Sequence, residues 1–392
     1  MATTFVLVLV VIMGFAFDFT NGFHDTANAM ATSIATGALK PKVAVGISAV
    51  LNFAGAFISI SVAATIAKGI VNPDVLVGGD ALDLVLAALI GAMTWNLITW
   101  YFTIPSSSSH ALIGGIIGAT IVATSSGEID WHDLVQSVII PALLSPFIAG
   151  GVAALGVYCA YRLIRRLGQK EARTGYRYGQ VFSASLVSLA HGTNDAQKTM
   201  GVISLALIAH GDISATNFSV PLWVKLGCAL SISLGTASGG WRIINTMGNR
   251  ITNIESPQGF AAESASAAVI LASSYYGYPL STTQVVSGGV LGAGLGKARN
   301  SVHWGVIGQM VSAWIVTMPG AGALGGIAWA ISNIFSPNLG AAVIVALAAA
   351  GAFGLWTLAQ RNKITASDLD RTNVSVVDEA ERSGVPPAIA TT

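Results

Sequence analysis

Charged side chains are scarce in this sequence. Lys, Arg, Asp and Glu together make up 9% of its 392 residues, whereas a soluble domain carries about 25%. The shortage excludes an ordinary water-exposed surface and, together with many apolar runs, predicts a polytopic membrane protein in a lipid bilayer. The net charge is only +1, so the chain lacks the basic stripe that would make nucleic acid a partner.

Cysteine is almost missing as well. Cys159 and Cys228 both lie in apolar runs, which indicates two buried free thiols rather than a disulfide framework. Residues 1–17 contain no Lys or Arg, so they lack the positive start of a cleaved signal peptide and are predicted to form the first span. Glycine, in contrast, is abundant at 44 residues, which suits closely packed transmembrane helices.

The apolar runs predict an all-α fold with several membrane spans. A span needs about 20 mostly apolar residues, and the shorter, more polar stretches between the runs are expected to include broken or re-entrant helices, buried in protein. The candidate spans are 3–20, 43–67, 82–104, 134–161, 220–238, 258–277, 303–331 and 338–360. The shorter stretches are 22–38, 106–124, 181–209 and 281–297.

A basic stretch in the middle of the chain divides it into two halves. Residues 162–177 hold six basic side chains and one acid, which places this connection in the cytoplasm by the positive-inside rule. If each half crosses the membrane an odd number of times, both termini lie outside. The predicted units are a first transmembrane repeat at 1–161, a basic cytoplasmic loop at 162–179, a second transmembrane repeat at 180–335, an extra span at 336–361 and a polar, disordered tail at 362–392.

Two motifs occur once in each half and in the same order. "PSSSSHALIGGIIGA" at 105–119 matches "PLSTTQVVSGGVLGA" at 279–293. Asp25 in "NGFHDTANAMAT" matches Asp195 in "HGTNDAQKTMGV", with a glycine and a methionine aligned on either side. Internal duplication around a site near the bilayer midplane is typical of secondary transporters, so the sequence predicts two homologous repeats.

The hydroxyl-rich motif predicts an anion site. Each copy begins with a proline that favours a helix start, and the free N–H groups and positive dipole end of such a start bind oxyanions. Ordinary capping of the helix by Ser and Thr is the alternative interpretation. The candidate anion-binding residues are Ser106, Ser107, Ser108, Ser109, Ser281, Thr282 and Thr283.

The acidic motif predicts a cation or proton site beside the anion. A carboxylate at membrane depth is costly and indicates function, and clustered oxygen ligands suit hard cations. Alternatively, the carboxylates accept a hydrogen bond from a protonated substrate, or have structural roles in which Asp25 caps a helix and Asp195 pairs with Lys198. The candidate residues are Asn21, His24, Asp25, Asn28, Asn194, Asp195 and Glu263, of which Asp25, Asn28 and Asp195 are the sodium ligands if sodium is the coupling ion.

Three histidines lie inside the motifs: His24, His110 and His191. A hydrogen-bonding structural role and a proton relay both remain open for them, because histidine titrates near neutral pH. Glu263, in the otherwise uncharged segment "GFAAESASAAV", is expected to face the bundle interior or a cation.

Four segments resemble the Pit-type inorganic phosphate transporters, and in particular the bacterial low-affinity phosphate permeases. They are "GFHDTANAMAT", "TWYFTIPSSSSHALIGGIIG", "SLAHGTNDAQKTMGVISL" and "SSYYGYPLSTTQVVSGG", and the resemblance runs from about residue 5 to 330. It implies phosphate symport across the cytoplasmic membrane, driven by protons in many bacterial members and by sodium in others. It also implies an inverted repeat and a homodimer. No cofactor is expected, and free phosphate and metal-complexed phosphate both stay open as the substrate.

The resemblance also shows where this chain departs from the family pattern. The family's paired Asn-Asp-x-Ala-Asn motif falls on residues 24–28 and 194–198, with both aspartates kept. Lys198 stands where the first copy has Asn28. An ammonium has only donors and cannot hold sodium, so we expect a bias towards proton coupling. Lys198 is predicted either to bind phosphate directly or to pair with Asp195.

Three other functions compete with phosphate symport as interpretations of the sequence. A channel needs weak, multiple sites, whereas two acidic groups beside one anion site favour a carrier. An enzyme acting on phosphate esters would need a nucleophile and its base, and no such set is recognisable. A sulfate or other oxyanion transporter of the same fold remains an alternative.

Overall fold

The computed structural model describes residues 2–68, 79–124, 126–167, 169–297, 302–361 and 363–370. Within these residues the chain is almost entirely helical, and strand-like pairing is confined to one isolated bridge between Thr252 and Val302. The all-α prediction is therefore confirmed. The helices are α1 (Ala2–Ala35), α2 (Pro41–Gly55), α3 (Ser61–Lys68), α4 (Gly79–Tyr101), α5 (Ser108–Ala123), α6 (Trp131–Leu134), α7 (Ile140–Leu167), α8 (Gln169–His210), α9 (Leu222–Ser238), α10 (Trp241–Asn249), α11 (Ser256–Tyr276), α12 (Thr282–Lys297), α13 (Trp304–Ser332) and α14 (Pro337–Gln360).

The described chain contains five helices that are long and apolar enough to cross a membrane. They are Thr3–Ala35, Ala81–Tyr101, Trp131–Arg166, Trp304–Ser332 and Pro337–Gln360. Large apolar side chains such as Phe147 and Ile315 are exposed on them, as expected for surfaces that face lipid tails. The chain is thus an integral, multi-pass membrane protein.

The apolar runs suggested separate elements at 22–38 and 181–209, but neither stretch forms an element of its own. Residues 22–35 form the second part of the long helix α1, and residues 181–209 belong to the long helix α8. Many of the polar side chains of both lie buried among neighbouring helices. Because Asp25 lies inside α1, it does not cap a helix. The breaks occur elsewhere: the apolar run 43–67 divides into α2 and α3, and Gly239, at φ +75°, separates α9 from α10.

The basic stretch 162–179 is helical rather than a loop. It forms the end of α7 and the beginning of α8, and only Gly168 between them lies outside the described residues. The physical reason is that Lys, Arg, Gln, Glu and Ala are all good helix formers, so a high charge density does not by itself interrupt a helix. Most of the predicted polar tail, 371–392, also lies outside the described residues.

Helices from the two halves pack against each other in matching pairs. α5 packs on α13 and α12 on α7, while α1 packs on α9 and α8 on α2. The glycines of the duplicated motif make two of these contacts possible. A Cβ on Gly118 would lie 2.0 Å from the Gly322 oxygen, and one on Gly292 would lie 2.0 Å from the Gly150 oxygen. The backbones therefore meet directly, which small residues permit.

Two apolar clusters lie on either side of a polar layer. Val10 and Phe17 of α1 belong to the first cluster, and Met30 and Ile34 of the same helix belong to the second. Between them along α1 lie the buried polar residues of segment 18–28. The acidic motif is therefore held between two apolar regions, away from both ends of the helix.

Candidate functional site

The two aspartates of the duplicated motif lie next to each other in the interior. Asp25 is 2% exposed on α1 and Asp195 is 1% exposed on α8. One carboxylate oxygen of each, together with a ring nitrogen of His191, lie within 4.8 Å of one another. The fold thus joins the two copies of the motif into one buried cluster.

Asp25 is tied to the starts of both α5 and α12. The Ser108 hydroxyl donates to Oδ2 at 2.9 Å, and the Thr283 hydroxyl donates to Oδ1 at 3.3 Å. His24 Nδ1 lies 2.7 Å from the same Oδ1. Since Ser108 and Thr283 belong to different copies of the hydroxyl motif, this carboxylate joins the two halves.

Asp195 repeats the arrangement with a cation added. The Thr282 hydroxyl donates to Oδ2 at 3.1 Å, as Ser108 does to Asp25. His191 Nε2 lies 3.0 Å from Oδ2. The Lys198 ammonium donates a hydrogen bond to Oδ1, so this structure contains the predicted pairing of Lys198 with Asp195.

Asn28 and Lys198, the equivalent residues of the two motifs, each reach the helix start of the opposite half. Asn28 Nδ2 donates to the Thr283 hydroxyl at 2.9 Å. Lys198 Nζ donates to the Ser109 hydroxyl at 2.5 Å and to the backbone oxygen of Leu280 at 2.8 Å. A fully buried ammonium therefore points at the junction between the starts of α5 and α12.

The remaining hydroxyls of the motif have structural roles here. Ser107 Oγ accepts from the backbone N–H of His110 at 3.1 Å, and Ser281 Oγ accepts from that of Gln284 at 3.3 Å. These are N-caps, so the capping interpretation holds for both. Ser106 hydrogen-bonds to Thr99 at 2.8 Å. The hydroxyls directed at the carboxylates and Lys198 are those of Ser108, Ser109, Thr282 and Thr283.

This chain matches known transporters over most of its length. The profile described as "Phosphate transporter family" matches residues 21–325, a range that includes both copies of each motif. The chain belongs to the phosphate transporter family.

Relatives from several bacteria have similar sequences. A protein of Mycobacterium bovis described as "Probable low-affinity inorganic phosphate transporter" is 52% identical over 371 residues, covering 95% of this chain and 87% of its own. A Bacillus subtilis protein with the same description is 44% identical, covering 83% of this chain and 97% of its own. A solved structure described as "The sodium-dependent phosphate transporter" has the same fold, with a TM-score of 0.75 and 24% identity over 84% of this chain and 100% of its own.

Glu263, a predicted site residue, lies in a polar cluster separate from that of Asp25 and Asp195. Its carboxylate accepts hydrogen bonds from Ser33 at 2.7 Å, Ser183 at 2.6 Å, Gln180 at 3.4 Å and Thr32. Thr32 lies seven residues beyond Asp25 on α1, about 10.5 Å along the helix. The four donors were not found from the sequence, because single polar residues in an apolar run have no distinguishing pattern.

Two predicted asparagines are also outside the direct contacts of the aspartates. Asn194 Nδ2 donates to Ser274 at 2.9 Å and to the Tyr278 backbone oxygen at 3.3 Å. Asn21 is buried, and among the described residues its Oδ1 has no hydrogen-bond partner. Neither asparagine is a partner of Asp25 or Asp195 in the hydrogen bonds of the described chain.

One contact between the halves could have been predicted from the repeat alignment. His110 and Gln284 occupy the same place in the two hydroxyl motifs, and His110 Nδ1 lies 3.5 Å from Gln284 Nε2. His191 also contacts Asp195, four residues along the same helix. The signal for the first contact was the equivalent position of the two residues in the repeats. The signal for the second was the i, i+4 spacing on one helix.

Proposed function

We propose that this chain is a secondary active symporter that carries inorganic phosphate across the cytoplasmic membrane, coupled to protons. The observation that carries the proposal is the position of Lys198. Its ammonium contacts Asp195 and the Ser109 hydroxyl. A positive charge that attracts anions thus stands where the first motif has Asn28. Membership of the phosphate transporter family supports the substrate.

The junction between the starts of α5 and α12 offers the groups that phosphate recognition needs. Four hydroxyls and one ammonium can donate to phosphate oxygens, and helix starts attract anions. Asp25 and Asp195 can accept a hydrogen bond from a protonated phosphate oxygen. Sulfate carries no proton at neutral pH, so these carboxylates would disfavour it. This difference favours phosphate over the sulfate alternative.

The charge of the cluster supports a coupled cation. Two carboxylates and one ammonium leave a negative balance, so phosphate entry requires a further positive charge. A proton supplies this positive charge and needs one acceptor group rather than a shell of several oxygen ligands. Sodium remains the alternative, because Asn28 Oδ1 has no hydrogen-bond partner among the described residues and could face a cation. In the second half, Lys198 occupies the equivalent place, and its ammonium argues against a sodium site there.

The paired packing of the halves supports transport by alternating access. α5 packs on α13 of the other half, and α12 packs on α7, an exchange that inverted repeats would produce. Rocking of one repeat against the other would expose the site to each face of the membrane in turn. The homodimer implied by the family resemblance remains a prediction.

Uptake by reconstituted protein tests the proposal. Proteoliposomes receive an inward proton gradient, an inward sodium gradient or neither, and radiolabelled phosphate uptake is measured over a concentration series. We expect saturable accumulation driven by the proton gradient and competition by unlabelled phosphate rather than by sulfate. Accumulation driven by sodium alone, with no response to pH, would contradict proton coupling. Conductance without accumulation would indicate a channel.

A further inference from the structure

Asp18 is a second buried acid on α1, outside the cluster around Asp25. Its side chain is 0% exposed. It precedes Asp25 by seven residues and so lies two turns away on the same face of the helix, about 10.5 Å along the axis. None of the duplicated motifs includes it.

The contacts of Asp18 are few for a buried carboxylate. The Thr199 hydroxyl on α8 donates to Oδ1 at 2.6 Å, whereas Oδ2 is buried without a hydrogen-bond partner among the described residues. In the described chain, Asp18 is in no ion pair with Lys, Arg or His. The Cys228 thiol of α9 also interacts with the carboxylate, and Asp195 and Lys198 of α8 act on it through their charges. An unpaired carboxylate in such surroundings is costly as an anion, and protonation removes that cost.

Asp18 belongs to one half of the molecule only. The equivalent place in the second repeat holds Ser188, whose hydroxyl donates to the backbone oxygen of Ala184 in its own helix. Asp18 therefore does not belong to the paired arrangement that Asp25 and Asp195 form. A group needed by both halves of a phosphate site would be expected twice, whereas a site for one cotransported ion needs to occur only once.

The hydrogen bond of Asp18 connects it to the phosphate site. Thr199 follows Lys198 directly in α8, and Lys198 contacts Asp195 and the start of α5. The bond also crosses from α1 in the first half to α8 in the second. A change of charge at Asp18 thus acts both on the Lys198–Asp195 pair and on the contact between the halves.

We propose that Asp18 binds the proton that is carried with phosphate, at a site distinct from the phosphate site. The inference rests on the proposed proton symport. An O–H bond forms on Oδ2 when water on one side supplies the proton, and the same bond breaks when the site opens to water on the other side. The neutral acid fits the buried arrangement seen here, and the anion favours the water-exposed states.

The test separates proton coupling from phosphate movement. Wild type, Asp18→Asn and the matched control Ser188→Ala are reconstituted, and two assays use radiolabelled phosphate. The first is exchange between equal phosphate concentrations at equal pH, and the second is accumulation under an inward proton gradient. For Asp18→Asn we expect exchange to persist with little pH dependence, and accumulation to stop at equal concentrations on the two sides. Ser188→Ala should match wild type in both assays.

Each outcome decides the proposal. Wild-type accumulation and pH dependence in Asp18→Asn would overturn it. If Asp18→Asn loses exchange as well, Thr199→Val decides instead: removing a hydrogen bond to the anion should move the pH midpoint of accumulation upward by about one unit, and an unchanged midpoint would overturn the proposal. If wild type itself shows exchange but no proton-driven accumulation, proton symport fails. If it shows no phosphate exchange, the proposed substrate fails.

Discussion

Asp25 and Asp195 occupy equivalent places but have different neighbours. Both accept a hydroxyl from the helix start of their own repeat. Asp25 has His24 beside it, whereas Asp195 contacts Lys198 and His191. One carboxylate can therefore accept a hydrogen bond from protonated phosphate while the other balances the Lys198 charge, and the two residues should not be interchangeable.

Amide substitution tests that division. Asp25→Asn and Asp195→Asn keep the shape but remove charge and proton acceptance, so each should reduce phosphate uptake severely. Asp195→Asn also leaves the buried Lys198 without its anion, a change that typically costs about 3–5 kcal/mol. Uptake and thermal unfolding in detergent are measured for both. Asp212→Asn, a change at an exposed acid, serves as the control. Normal phosphate uptake by either site variant would remove that residue from the mechanism.

Lys198 is expected to substitute for a bound cation. Lys198→Asn restores the residue type found at Asn28 and removes the fixed charge. It should lower phosphate affinity in sodium-free buffer by about tenfold to a hundredfold, the equivalent of about 1.5–3 kcal/mol for a charge-assisted hydrogen bond. Added sodium should restore part of it. Affinity that changes neither with the substitution nor with sodium would show that Lys198 has only a structural role.

Neighbouring serines of the hydroxyl motif should respond differently to the same substitution. Ser108→Ala removes a group directed at Asp25, and Thr282→Ala removes its counterpart at Asp195. Both should raise the uptake KM by about tenfold or more. Ser107→Ala removes an N-cap and should lower stability by about 1 kcal/mol with little effect on KM. Equal KM changes at Ser107 and Ser108 would contradict this assignment.

The starts of α5 and α12 are positioned by contacts farther along the same helices. Glycines of the duplicated motif bring α5 onto α13 and α12 onto α7. This packing holds the helix starts, with their hydroxyls, against the two aspartates. The repeated Gly-Gly and Gly-Ala pairs thus support the site without touching it.

Adding one methyl group to this packing tests the point. On α12, Gly292→Ala would place a Cβ 2.0 Å from the Gly150 oxygen, whereas Gly151 on α7 has nothing within 4 Å. Gly292→Ala should therefore destabilise the protein by about 1–3 kcal/mol and lower its unfolding temperature in detergent. Gly151→Ala is the matched control and should be neutral or slightly stabilising, because Ala favours a helix more than Gly does. Equal effects of the two changes would contradict direct backbone packing.

The duplicated motifs could be predicted from the sequence, but the helix boundaries could not. Alignment of the two halves predicted the pairing of Asp25 with Asp195 and of the two helix starts, because the repeats share their order of residues. It did not predict that residues 162–179 are helical, since charge alone does not end a helix. Asp18 and the donors around Glu263 were missed, because their partners come from distant parts of the chain.

Buried acids lie at three levels along α1 in the described part of the molecule. Asp18 and Asp25 lie on α1, and Glu263 contacts Thr32 of the same helix. Each accepts a hydrogen bond from a hydroxyl in the other half of the chain. We propose that phosphate occupies the middle position, beside Asp25 and Asp195. This arrangement suits a carrier whose halves move relative to each other.

The location of the bound anion tests this account most directly. A structure of the protein with arsenate, a phosphate analogue whose heavier atom gives an anomalous signal, would locate the site without relying on transport assays. We predict one strong peak between the starts of α5 and α12, within hydrogen-bonding reach of the hydroxyls of Ser108 and Thr282 and of the Lys198 ammonium. A peak elsewhere in the membrane region, with the Lys198–Asp195 pair and its hydroxyl contacts unchanged, would contradict it.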